Sequence, residues 1–174
     1  KASLMVPYED PLASVKEIDL WEGDNNFAQI LLLSRTSEPL GQRKYWPIYE
    51  AACRSNLPVA VHAFGYGGAP VTGGGWPSFY IEEMVGHAEN TQSLLTSMVF
   101  EGVFERFPTL KLILVEAGFA WLPALSWRLD KLWNRMRAEI PHVTRPPSEL
   151  IRQHVWITTQ PMEEPEPREH LLDT

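Results

Sequence analysis

Five short apolar runs punctuate the chain: Ser3 to Val6, Phe27 to Leu33, Leu57 to Ala63, Leu110 to Val115 and Val155 to Gln160. Each is too brief for a helix and lies between turn signals, so each reads as a β-strand. The unbroken hydrophobicity of the central runs predicts strands covered on both faces. Between them the period lengthens to that of a helix. Asp10-Pro11 is a helix start, with the aspartate as N-cap and proline in the first position, and Leu12, Val15 and Ile18 give a buried face ending near Glu22-Gly23. Tyr45 to Asn56 carries Pro47 in its first turn and Ile48, Ala51, Ala52 and Cys53 on one side. Thr91 to Phe107 repeats Leu95, Val99 and Val103 at every fourth residue until Pro108 stops it. Trp121 to about Ile140 has Leu122, Leu125, Leu129, Leu132 and Met136 at steps of three and four, and Ser148 to Gln153 is a short helix.

No two adjacent strands lie close enough for a hairpin, which requires parallel strands joined by helices. The fold class is therefore α/β. An open doubly wound sheet and a (β/α) barrel satisfy this pattern equally. The segment Gly65 to Asn90 breaks the rhythm with Gly65, Gly67, Gly68, Gly73, Gly74 and Gly75 among exposed aromatics, and reads as a long loop covering a site. Its glycines fit neither a dinucleotide fingerprint nor a P-loop. Tyr66, Trp76 and Tyr80 are candidates for walling a pocket for an apolar or aromatic substrate, and packing of the loop on its own fold accounts for them as well.

Composition narrows the function classes. The 174 residues hold 15 basic against 22 acidic side chains, a net charge of −7 that speaks against nucleic acid or an anionic membrane as partner. A hydrophobic fraction of 44% with 21% charged residues is that of a folded soluble domain. The acidic residues Glu163, Glu164, Glu166 and Glu169 read as a solvated face. One cysteine, Cys53, excludes an internal disulfide and reads as core packing. With no membrane-length apolar run and no signal peptide, the expectation is a cytoplasmic chain forming a single domain over residues 1–174. It begins beside a strand and stops at Leu171 to Thr174 in a young helix, so it reads as part of a larger fold.

The chemistry lies where the strands end. In a parallel sheet the C-terminal ends share one rim, so His62, Glu116 and Gln160 are expected to converge although they are far apart in sequence. A neutral imidazole ligates zinc, and a carboxylate can ligate the same metal, hold its water or act as acid or base. The alternative for His62 is a buried histidine satisfied by a backbone carbonyl. Two strand-end candidates fall short of the three protein ligands of a catalytic zinc. His87 reads as an exposed loop histidine within reach of the rim, His142 lies in a linker, His154 belongs to the opposite rim and His170 to the terminal helix.

The order L-P-V-A-V-H-A, a glycine-rich insertion, N-T-Q-S-L-L-T-S-M-V-F-E-G-V-F-E-R-F-P-T-L-K-L-I-L-V-E-A-G and W-L-P-A-L-S-W-R-L-D resembles the amidohydrolase-related proteins over about Asp10 to Gln160. This metal-dependent TIM-barrel group includes aminocarboxymuconate-semialdehyde-decarboxylase-like and resorcylate-decarboxylase-like enzymes. The resemblance implies a distorted (β/α)8 barrel, of which this chain is about strands 3–7 with their helices. The family's H-x-H motif on the first strand and its aspartate on the last then lie outside these residues. His62 matches the metal-ligand histidine of the fifth strand. Glu116 stands where many relatives carry a histidine, E-A-G in place of H-G-G, and is the catalytic candidate. The resemblance further implies a divalent metal, zinc in the first instance, and a metal-dependent hydrolase or decarboxylase acting on a small, often aromatic, carboxylic or carbonyl substrate. Tyr66, Trp76, Tyr80 and Gln160 are its substrate-binding candidates. The alternative, motivated by Glu116, is a barrel without catalysis that serves as a binding or assembly module. Trp127 and Trp133 are candidates for a homodimer face or for cover by neighbouring elements.

Overall fold

The computed structural model describes residues 1–63 and 70–162. The elements run β1 (Ala2–Met5), α1 (Pro11–Leu20), β2 (Phe27–Leu33), α2 (Trp46–Arg54), β3 (Val59–His62), α3 (Tyr80–Phe100), α4 (Val103–Arg106), β4 (Leu112–Val115), α5 (Trp121–Met136), α6 (Pro147–His154) and β5 (Val155–Ile157), with a 3-10 turn at Arg43–Tyr45 leading into α2. The five strands are all parallel and lie in the order β1-β2-β3-β4-β5. A doubly wound sheet reverses its order at a switch point, whereas an unbroken order that follows the sequence is an arc of a (β/α)8 barrel. The fold is α/β, part of a TIM barrel. Among the described residues no helix is long and apolar enough to cross a membrane.

The pleat divides each strand between two environments. Leu4, Ile30, Leu32, Val59, Val61, Leu112 and Leu114 belong to the main buried cluster, with Leu95, Met98, Val99 and Phe104 of the helices. Trp46 and Tyr49 of α2 meet Phe107 edge-on, with ring centroids 5.7 and 6.1 Å apart. The opposite sheet face carries Met5, Leu31, Ala60, Ile113 and Trp156 in one register row. The outer members of that row, Met5 and Trp156, are exposed. The continuous hydrophobicity of the strands thus reflects two apolar faces, of which the described helices cover one.

Several boundaries follow the sequence expectation. The Asp10 carboxylate accepts the Ala13 N–H at 3.0 Å and caps α1. Cys53 packs half-buried against the core. Others do not. The helix expected over Thr91 to Phe107 is two helices, parted at Gly102, whose φ of +80° lies in the left-handed region. The His142 ring occupies the space beside it, where a Cβ on Gly102 would lie 2.7 Å from Cδ2, and its Nε2 is 2.7 Å from the Phe100 carbonyl oxygen.

The larger difference concerns the glycine-rich segment, expected to be loop as far as Asn90. Here α3 begins at Tyr80, and His87 is a buried helical residue instead of an exposed loop residue. No serine or aspartate sits at its N-cap. Instead the Glu82 carboxylate inside the first turn accepts the Phe79 N–H at 2.7 Å. Gly86 in mid-helix marks a close approach, since a Cβ there would lie 2.6 Å from Val71 Cγ1. Helix α5 ends at Met136, before Ile140. Its Trp133 is covered by its own chain, donating to the Val143 carbonyl at 2.9 Å under the Arg137 guanidinium, while Trp127 is exposed.

Two contacts hold the loops of the C-terminal rim. The Glu9 carboxylate after β1 accepts hydrogen bonds from Ser37 N–H at 2.8 Å and Lys44 Nζ at 2.6 Å. Burial alone would raise its pKa, but the bonds from Lys44 and Ser37 and the Lys44 charge together hold it at about 2. A carboxyl whose pKa is depressed on folding contributes stability that is present above its ordinary value and lost as pH falls toward the folded value. In thermal melts from pH 7 to pH 2, Glu9→Gln is expected to lower Tm at pH 7, the deficit shrinking below about pH 4.5 and vanishing near pH 2. The second contact is at Gly41, which donates to Ser97 Oγ at 3.1 Å and where a Cβ would lie 2.3 Å from the Ser97 carbonyl oxygen. Gly41→Ala is expected to lower the urea midpoint at unchanged slope, by about 1–3 kcal/mol of overpacking strain.

Candidate active site

His62 ends β3 and shares its register row with Leu33 of β2 and Val115 of β4, which places it on the sheet face away from the helices. Strict alternation after Val115 would send Glu116 to the helix side, with Leu112 and Leu114. Glu116 instead adopts φ +55°. A left-handed conformation in a residue with a long side chain costs on the order of 1 kcal/mol and breaks the alternation. The Glu116 carboxylate then comes back to the rim, with Oε2 3.4 Å from His62 Nε2. Its own N–H donates to Thr158 Oγ1 at 3.0 Å, which ties the turn to the segment just beyond β5.

The β2 end supports the same place. Ser34 N–H donates to the His62 carbonyl at 3.0 Å, and its hydroxyl donates to the Ala63 carbonyl at 2.8 Å. The Asn90 amide of α3 donates to the Ser34 carbonyl at 3.0 Å, and Arg35 Nη1 pairs with Glu83 Oε1 at 2.8 Å. Only 8% of the Arg35 side chain is exposed, a cation that its carboxylate partner makes tolerable at that depth. These contacts bind the first half of α3 to the rim beside β3. One turn beyond Glu83, His87 lies buried on the same helix. Burial lowers its proton affinity, Glu83 opposes this, and Arg35 and His62 add to the lowering.

A cavity of about 740 Å³ opens between α3 and the ends of β4 and β5. Ile81, Met84, Val85 and Ala88 form an apolar wall at helical spacing, His87 stands among them, and Glu116 and Gln160 line the other side. This is the size and the mixed lining of a small-molecule site. Gln160 lines this cavity together with Glu116, beyond the end of β5 at Ile157. Trp76 lines a separate cavity of about 450 Å³ with Val71, Pro77 and Ile81, and its ring lies 5.8 Å from the Arg35 guanidinium. Tyr80 is exposed at the start of α3 and lines neither cavity. Tyr66 lies outside the described residues. His154 sits on the opposite rim as expected, with Nδ1 2.8 Å from the Leu110 carbonyl oxygen and its ring stacked on Phe104.

Sequence reasoning passed over Arg35, as loop, and read His87 as an exposed loop histidine within reach of the rim, where the structure has it buried on α3. The signal for His87 was present in the spacing of Ile81, Met84, Val85 and Ala88, masked by the glycines before it. An imidazole nitrogen and a carboxylate oxygen 3.4 Å apart suit one borderline divalent cation as donor types. Among the described residues no group of three histidine, cysteine, aspartate or glutamate side chains is close enough to enclose an ion. His62 therefore fits as one member of a larger donor set, with the Glu116 carboxylate beside it.

The same architecture recurs in solved structures. An amidohydrolase from Mycobacterium avium subsp. paratuberculosis K-10 matches with a TM-score of 0.75 at 24% identity, over 96% of this chain and 44% of that one. The 5-carboxyvanillate decarboxylase from Sphingomonas paucimobilis matches at 0.72 and 24%, over 92% of this chain and 48% of its own. A dihydroxybenzoic acid decarboxylase from Polaromonas sp. JS666, with bound manganese and the inhibitor 2-nitroresorcinol, matches at 0.64 and 20%, over 87% and 48%. The chain spans about half the length of these structures. At such identities the likeness establishes the barrel fold. The match to the family described as amidohydrolase extends over residues 1–174, and the chain belongs to that family.

Proposed function

We propose that this chain forms the central arc of a divalent-metal-dependent enzyme that removes the carboxylate of a small aromatic acid, with the remaining barrel strands lying outside residues 1–174. The observation that carries the reading is the approach of His62 Nε2 to Glu116 Oε2, 3.4 Å, beside an apolar-walled cavity of about 740 Å³. Support comes from the aromatic-acid decarboxylases that share the fold, one of them holding manganese. His62 is assigned as a metal ligand and Glu116 as the proton-carrying residue. Manganese and zinc both suit such donors.

When bound, the metal supplies a Lewis acid that polarises a substrate oxygen. His62 orients that end of the site through its imidazole. Glu116 and Glu89 put two carboxylates on the cavity lining, so an anionic substrate is admitted only with offsetting positive charge or with Glu116 protonated. Protonated Glu116 can deliver its proton from Oε2 to the ring carbon that loses carbon dioxide. The C–C bond breaks, its electron pair stays on the ring carbon, and the new C–H bond takes the proton. Ile81, Met84, Val85 and Ala88 offer the ring an apolar surface to pack against. Gln160 closes the far side. Hydrolysis of a C–N or C–O bond would use the same pair with water in place of the ring carbon, and release of carbon dioxide separates the two.

Loaded with Mn²⁺ or Zn²⁺, the whole protein is expected to release carbon dioxide from a hydroxybenzoic acid in a coupled assay. Glu116→Gln should keep its metal, measured by elemental analysis, and lose roughly 10²–10⁴-fold in kcat. His62→Ala should lose both metal and turnover. Carbon dioxide release that survives His62→Ala undiminished, or is absent from the metal-loaded wild type across a panel of hydroxybenzoic acids, would overturn the assignment.

A further inference from the structure

We propose that Thr158 is a positioning residue of the site: its hydroxyl holds the Glu116 backbone in the left-handed turn that brings the carboxylate to His62. The catalytic consequence rests on the carboxylate-processing reading above. β4 and β5 pair Leu112 with Val155, Ile113 with Trp156 and Leu114 with Ile157. One step further the same register sets Thr158 opposite Val115, and the Thr158 N–H donates to the Leu114 carbonyl at 3.0 Å. In a regular parallel ladder the next bond runs from the Glu116 N–H to the Thr158 carbonyl. Here the Glu116 N–H donates instead to Thr158 Oγ1, at 3.0 Å. A side chain thus takes the place of a main-chain rung, at the residue where φ becomes +55°.

The turn is held on both flanks. The Val115 carbonyl, on the same peptide plane as the Glu116 N–H, accepts from the Ala63 N–H at 3.0 Å, so this plane is pinned between β3 and Thr158. On the other side Ala117 is 2% exposed, and its carbonyl accepts from Trp121 Nε1 at 2.9 Å. Between these supports the Glu116 carboxylate is presented to His62, with Oε2 3.4 Å from Nε2. The exchange of acceptors has a second effect. β5 ends at Ile157, and the chain leaves the ladder in time for Gln160 to line the cavity together with Glu116. A side chain without a hydroxyl at position 158 leaves the Glu116 N–H the main-chain carbonyl of that residue as its partner in register. Taking it extends β5 by one residue, restores the alternation of β4 and turns the Glu116 carboxylate toward the helices. Valine puts a methyl group in place of the hydroxyl and keeps the branched shape that suits a strand.

The experiment reads the Glu116 backbone first and turnover second. In the metal-free whole protein carrying isotope-labelled glutamate, the NMR signal of Glu116 is identified as the one missing from Glu116→Gln. Its Cα and Cβ shifts should be those of a left-handed residue in the wild type and in Thr158→Ser, which keeps the hydroxyl, and those of extended backbone in Thr158→Val. With Mn²⁺ loaded and 2,6-dihydroxybenzoate as substrate, Thr158→Val is expected to lose roughly 10–100-fold in kcat, with KM within about twofold and metal content unchanged. Thr158→Ser should recover turnover to within about threefold of the wild type. Thr158→Ala repeats the removal of the hydroxyl should Thr158→Val not fold. Extended shifts at Glu116 in the wild type, left-handed shifts that persist without the hydroxyl, or a loss of kcat that Thr158→Ser does not recover overturns the role of Thr158 while leaving the proposed function in place. A metal-loaded wild type that releases no carbon dioxide from 2,6-dihydroxybenzoate or the other hydroxybenzoic acids overturns the proposed function and the kinetic consequence with it, and the shifts of the metal-free protein then decide the positioning by themselves.

Discussion

The parallel register that pairs His62 with Leu33 on one side and Val115 on the other is the constraint on which the rest of the site depends. Side chains alternate with a period of two, so a slip of one residue in β3 would bury His62 among the helices and expose Val61 in its place. Register is held from both directions. The core face of β3, Val59 and Val61, packs into the main buried cluster, and the last carbonyls of the strand are taken by Ser34. A hydrophobic contact set on one face thus positions an imidazole on the other.

Glu116 shows how the rim departs from regular geometry at one point and is compensated at another. Its left-handed backbone is unfavourable for its residue type, and it is the departure that brings the carboxylate to His62. The compensation is local, through the hydrogen bond from its N–H to Thr158, and through Ala117, which is buried immediately behind it. Glu89 adds a second carboxylate to the lining of the cavity.

Helix α3 contributes the remaining wall, and its length matters. Had it begun at Thr91, the rim would face open loop, and neither His87 nor the apolar face of Ile81, Met84 and Val85 would reach the cavity. Its early start depends on Glu82 capping Phe79 and on Gly86 admitting Val71. Its attachment depends on a pair of charges, Arg35 and Glu83, placed where each is shielded by the other. The same segment leaves Phe79, Tyr80 and Ile81 exposed, so its apolar residues do not all serve one core.

By itself the sequence determined most of the element types, the parallel connectivity and which residues stand at the strand ends. Those properties are local: apolar runs of strand length, helical stripes, Asp10-Pro11 as a start, and His62 and Glu116 placed directly after hydrophobic runs. Periodicity alone left open whether the strands form a doubly wound sheet or a barrel, because both have the same local pattern; the family resemblance implied the barrel, and the spatial order β1 to β5 bears it out. The sequence also could not show that Glu116 turns against the pleat, since φ at one residue is set by what that residue meets across the sheet. His87 was misread for a related reason. The helix around it lacks a conventional cap and contains a glycine, and both features are explained by contacts with Val71 and the rim that exist only once the chain is folded.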